Sequence, residues 1–163
     1  MTEPIRWTSP LGVGVLLFMA IGALWVVIGL LAVPLHKRAH PDYLFVSTPT
    51  DTAYFGGVPS ELAPPGSTLA KLRTLLLTVI SGSLVVAGVL VVCVAWFALR
   101  EGHPWALASL AVGVALAVGF WAIALLPYFQ APTPVTLGDL PPFMWVPAAL
   151  LILATVLGWI GIH

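Results

Sequence analysis

The sequence predicts an all-α fold, a bundle of four transmembrane helices with a long, partly ordered loop between the first and the second. Three observations carry that expectation. Hydrophobic residues make up 60% of the 163-residue chain and charged residues only 7%, whereas a soluble domain is about a quarter charged. The apolar residues fall into four runs, at about 11–33, 74–99, 105–126 and 143–162, and none of them contains Asp, Glu, Lys, Arg or His. Each run approaches or exceeds the ~20 residues that a helix needs to cross hydrocarbon. The polar residues collect instead in 35–73, which holds more than half of all the charges: Lys37, Arg38, Asp42, Asp51, Glu61, Lys71 and Arg73.

A chain of this size cannot enclose so much apolar surface in water, but a bilayer solvates it directly. The whole of 1–163 therefore reads as one integral, multi-pass membrane domain in the cell membrane. The formal net charge is zero and the charges are scattered, so the chain has no basic face with which to recruit nucleic acid. The single cysteine, Cys93, lies inside an apolar run. It has no intramolecular disulfide partner and reads as a small hydrophobe.

Each element has a local reason. Trp7 stands where an interfacial aromatic would anchor the first helix. The run 11–33 exceeds the ~7–15 residue apolar core of a signal peptide and lacks a small-x-small site after it, so this helix is expected to stay in the mature chain. Within 35–73, Pro41, Pro49, Pro59, Pro64 and Pro65 forbid a continuous helix. The segment 50–55 suits one capped turn stopped by Gly56-Gly57. Tyr43, Phe45, Tyr54 and Phe55 suit a loop that lies on a membrane surface. Ser67 is the expected N-cap of the second helix, with Lys71 and Arg73 at headgroup level.

Residues 100–104 form a tight polar turn, and Pro104 suits the first turn of the third helix. That helix carries two tracks of small residues four apart, Ser109, Gly113 and Ala117 on one and Ala111, Ala115 and Gly119 on the other. Close helix approach in lipid uses such tracks, so the third helix is expected at the centre of the bundle. Pro127 is expected to end it. Pro132, Pro134, Pro141 and Pro142 stiffen the connector to the last helix, which has Trp145 and Trp159 near its ends.

Four crossings place both termini on one side. Counting Lys and Arg alone puts the long loop in the cytoplasm. The turn Leu99-Arg100-Glu101-Gly102-His103-Pro104-Trp105-Ala106 resembles the turn between helices two and three in small uncharacterised bacterial four-helix integral membrane proteins. That resemblance, with the proline- and aromatic-rich character of the long loop, implies cytoplasmic termini and a long loop outside, and it implies no activity.

The absence of ionisable residues from all four runs argues against ion-coupled transport, which needs such a group at membrane depth. His36, His40 and Asp42 are the sharpest metal-ligand candidates, since two imidazoles and a carboxylate can hold a divalent cation. Lys37 and Arg38 lie between them and repel one, so a hydrophilic flank at the end of a span is the favoured reading and no metal is expected. His103 is one crossing away and reads as a turn residue. Asp51, Tyr54, Glu61 and Arg73 are the candidate catalytic or lipid-head residues, placed to meet over the mouth of the bundle. No nucleophile motif or phosphate-cradling glycine loop accompanies them, and no motif calls for a cofactor.

The leading expectation is an accessory or structural membrane protein that packs with another membrane protein or with itself, without catalysis of its own. The alternative is a small membrane enzyme or lipid-binding protein acting on a lipid or isoprenoid substrate at the 35–73 loop. A small transporter is third.

Overall fold

The computed structural model describes residues 6–39, 46–131, 136, 138, 140 and 142–163. The described residues are all helical or turn, without a strand. Four helices are long and apolar enough to cross a membrane: α1 (Pro10–Ala39), α4 (Thr68–Phe97), α5 (Pro104–Phe129) and α6 (Pro142–Ile162). Two short helices, α2 (Thr48–Phe55) and α3 (Pro59–Leu62), lie between α1 and α4, and a 3-10 turn at Leu99–Glu101 links α4 to α5.

The boundaries follow from local chemistry. Ser9 precedes Pro10, and its hydroxyl accepts the Gly12 N–H at 3.2 Å. The Ser67 hydroxyl accepts the Ala70 N–H at 3.2 Å, making it the N-cap expected of α4. Gly56, at φ 74°, closes α2 where Gly56-Gly57 was expected to stop the turn. Pro49 and Pro59 sit in the first turns of α2 and α3, where a missing N–H has no intrahelical partner to lose. Proline thus starts two helices in the loop instead of only interrupting it.

Two proline expectations are corrected. α1 runs through Pro34 to Ala39, beyond the expected end near residue 33. α5 likewise runs through Pro127 to Phe129. In both cases the proline falls within two turns of the helix end, so only one backbone hydrogen bond is lost and the helix closes soon after. At ~1.5 Å per residue, the 30-residue helices α1 and α4 are each about 45 Å long.

α1, and not α5, is the central helix, because it packs extensively against both α4 and α6. The buried residues Val15, Phe18, Gly22, Trp25 and Gly29 of α1 recur at alternating spacings of three and four. Ser81, Leu84, Gly88, Val91 and Ala95 do the same on α4. This seven-residue repeat keeps one seam facing its partner along the whole helix. The smallest residues set how close the backbones come. A Cβ at Gly22 would lie 2.6 Å from the Gly88 carbonyl oxygen, one at Gly88 would lie 2.5 Å from the Gly22 oxygen, and one at Gly29 would lie 2.6 Å from the Ser81 oxygen. On its other side, a Cβ at Gly14 would lie 2.8 Å from the Gly158 backbone nitrogen of α6, and one at Gly161 would run into Leu11, so these backbones too are in close contact.

α5 packs mainly on α6 and only lightly on α4, although the 3-10 turn joins α4 to α5 directly. A cleft therefore runs between α4 and α5. Ser109, Gly113 and Ala115 of the two small-residue tracks are exposed, and Ala111, Ala117 and Gly119 are half-buried. A Cβ at Gly113 or Gly119 would meet nothing within 4 Å. The outer faces of the bundle are apolar throughout, with Phe120 69% and Ile152 71% exposed beside Leu75, Val79, Val86 and Phe97. A soluble monomer rarely exposes a continuous apolar surface of this kind.

Candidate functional site

The end of the bundle that carries α2 and α3 brings together most of the polar side chains that the sequence analysis singled out. α2 is laid over the last turns of α5, and Asp51 in its first turn is completely buried. Burying a carboxylate without partners is costly, so its hydrogen bonds decide whether this arrangement is stable. The Val46 N–H donates to Asp51 Oδ1 at 3.3 Å. The Tyr128 hydroxyl, from the last turn of α5, donates to the same carboxylate. Beside it, the Ser47 hydroxyl donates to Thr50 Oγ1 at 2.9 Å. Asp51 therefore ties the incoming chain, α2 and α5 to one another.

Aromatic rings complete this tie. The Tyr54 ring lies 4.8 Å from that of Tyr128, and Phe55 meets Tyr128 edge-on at 6.3 Å. Tyr54 and Phe55 are themselves 4.9 Å apart in a T-shaped pair. Ring pairs at these separations stabilise beyond simple area burial, by about 0.5–1.5 kcal/mol each. Val46, Leu125 and Tyr128 form a small buried cluster under the cap, flanked by Trp121 and Leu140.

Beneath this cap, between α4 and α5, lies a cavity of about 490 Å³. Phe55 and Leu62 roof it from α2 and α3. Leu69, Leu72, Arg73, Leu76, Leu77 and Ile80 wall it from α4, and Ala124 and Tyr128 from α5. Arg73 is the one charged residue among the described residues that line it, and the Tyr128 phenol is the other polar group. A second cavity of about 230 Å³ lies further along the same cleft, walled by Trp25, Ala87, Leu90, Val91, Val94, Ser109, Leu110, Gly113 and Ala117.

Of the four candidate site residues, the structure brings Asp51 and Tyr54 onto Tyr128 and places Arg73 in the cavity wall that Tyr128 shares. Glu61 is exposed on α3 and does not line the cavity. Tyr128, the hub of the cluster, was missed because Pro127 was expected to end α5 just before it. The available signal was a phenol at the end of an apolar run, a group that finds a hydrogen-bond partner when buried.

The metal candidates His40 and Asp42 lie outside the described residues, and His36 lies in the last part of α1. Among the described residues no group of three His, Cys, Asp or Glu side chains is placed to hold a metal ion. At the opposite end of the bundle, the Arg100 guanidinium sits 4.6 Å over the Trp96 ring, on which Trp7 stacks at 5.9 Å. His103 lies there too, 3.4 Å from Glu101. The hydroxyls of Thr74, Thr78 and Ser83 turn back onto carbonyls four residues earlier in α4, so they satisfy their own helix.

Comparison with protein-family models, with curated proteins and with solved structures finds no match to the chain. The functional reading therefore rests on the site itself.

Proposed function

We propose that the protein is a multi-pass integral membrane protein that binds a membrane amphiphile in the cleft between α4 and α5, beneath the α2–α3 cap. The observation that carries this reading is the cavity of about 490 Å³ with an almost wholly apolar wall. Its size is that of an ordinary small-molecule site, and such sites are apolar with a few placed polar groups. Spanning by α1, α4, α5 and α6 is supported by their length and composition and by the apolar outer surface. The cap holds the roof in place, and the site's phenol is already engaged by Asp51. This supports binding without a reaction at the site.

The test is extraction of the native protein in mild detergent, with analysis of retained lipid beside a variant whose cavity is filled by Leu72→Trp and Leu76→Trp. The reading predicts a stoichiometric lipid on the native chain and its loss from a variant that still folds. Equal retention by both, or none by either, contradicts it.

A second reading is association with another apolar helix, as an accessory subunit or a homo-oligomer. It is supported by the track Ala111, Ala115 and Gly119 on α5, where Gly119 has open space at its Cβ position. Gly119→Leu should then dissociate a defined complex in native sizing and leave lipid retention unchanged.

A further inference from the structure

We infer that the amphiphile carries a single linear hydrocarbon chain longer than one leaflet of the bilayer, which starts beneath the cap, crosses the midplane in the α4–α5 cleft and ends in the lower cavity. This rests on the reading of the protein as membrane-spanning with a lipid site under the cap, and deepens it by naming the length and form of the ligand.

The tryptophans set the depth. Gly22 of α1 faces Gly88 and Val92 of α4, and Gly29 faces Ser81 and Val85. Gly161 of α6 meets Leu11 of α1, and Gly158 meets Leu107 of α5. These pairings bring Trp96, Trp105 and Trp159 within about one helical turn of the same level. Trp7 stacks on Trp96, and Trp7, Trp105 and Trp159 are exposed. A ring of exposed tryptophans at one level marks a membrane–water interface. The ~30 Å hydrocarbon core then takes about 20 residues of each helix, from Trp96 back to about Leu76 on α4 and from Trp105 to about Leu125 on α5. Its midplane falls near Val86 and Ala115.

The two cavities are divided by that plane. The upper one ends at Ile80 on α4 and at Ala124 on α5, in the half nearest the cap. The lower one runs from Ala87 to Val94 on α4 and reaches Ser109 on α5, in the half nearest the tryptophans. Ile80 and Ala87, like Ala117 and Ala124, are seven residues apart. Both offsets are about 10 Å along a helix, so the cavities are stacked in one cleft. From the cap-side interface at Leu76 to Val94 the path is about 27 Å, whereas the hydrocarbon of one leaflet is about 15 Å deep. A tail rooted at the cap therefore fills the lower cavity only if it is longer than a leaflet. At the tryptophan end the cleft is shut, since the 3-10 turn joins α4 to α5 and Ala98, Leu99, Ala106 and Leu107 are buried there. The narrowing from about 490 Å³ to about 230 Å³ suits one chain at depth and not the paired tails of a phospholipid.

The test uses purified full-length protein with two uncharged probes in native mass spectrometry: 1-docosanol, whose extended chain matches the path, and 1-decanol, whose chain is shorter than one leaflet. Docosanol should bind one per chain. Filling the lower cavity from α5, by Gly113→Leu with Ala117→Leu, or from α4, by Leu90→Trp, should weaken docosanol about tenfold through the packing contacts it loses, and leave decanol unchanged. Gly113 and Leu90 are exposed, so the melting temperature of both variants should stay near that of the native protein. Docosanol binding that is unchanged in both variants, or two decanol molecules held as firmly as one docosanol, overturns the crossing chain while the lipid site stands. Binding of neither probe to the native protein removes the site and the inference with it.

Discussion

Asp51 shows how one residue organises the polar end of this molecule. A carboxylate with no exposure is held by the Tyr128 hydroxyl and the Val46 N–H, and α2 is thereby fastened to α5. Removing the Tyr128 hydroxyl takes one hydrogen bond from this buried carboxylate and leaves it the Val46 N–H, at a cost of about 1.5–3 kcal/mol for a hydrogen bond to a charged group. Tyr128→Phe should therefore loosen the cap by about that amount. Hydrogen exchange should quicken across 46–67 and stay unchanged in the interior of α1 and α4. Unaltered protection in 46–67 would show that the rings of Tyr54, Phe55 and Tyr128 hold the cap without the hydrogen bond. Asp51, Tyr54 and Arg73 stood out in the sequence because polar groups are scarce in this chain, and in the fold Asp51 and Tyr54 meet Tyr128 while Arg73 lines the cavity beside it. Tyr128 was not, because its meaning depends on α2 folding back across α5, a contact between residues far apart in sequence.

At the scale of the helices, the tight seam lies between α1 and α4. Gly22 and Gly88 each occupy the space that a Cβ on the other would need. Gly22→Ala and Gly88→Ala should each lower stability by about 1–3 kcal/mol, as overpacking does. Gly113→Ala, which meets open space, should leave stability unchanged or raise it by up to about 1 kcal/mol through helix propensity. Thermal melting of the three variants in one detergent checks the contrast, and equal destabilisation by all three would contradict this packing. The existence and approximate extent of the four long helices were readable from uncharged runs and local caps such as Ser67 and Pro104. Which helix lies in the centre was not. In a helix apolar on every side, no polar face marks the outside, so periodicity alone does not point to the buried stripe. The four-residue tracks of α5 are more conspicuous than the seven-residue spacing of Gly22 and Gly29. It is the latter that faces a neighbour with matching small residues, Gly88 and Ser81.

For the whole molecule, close packing along α4–α1–α6–α5 leaves one seam loose, between the two helices joined by the shortest connection. Both cavities open along that seam, and the cap closes over one end of it. Such an arrangement leaves three tight helix pairs to carry the fold, and under the proposed function the loose seam admits a slender apolar ligand from the side. The most direct test places a photoreactive fatty acid in native membranes and maps the labelled residues after irradiation. The account predicts labelling concentrated on the cleft walls, at Leu76, Ile80, Ala87, Ala117 and Ala124, and reduced by Leu72→Trp with Leu76→Trp. Labelling spread evenly over outward residues such as Val79, Phe120 and Ile152, with no excess in the cleft, would contradict it.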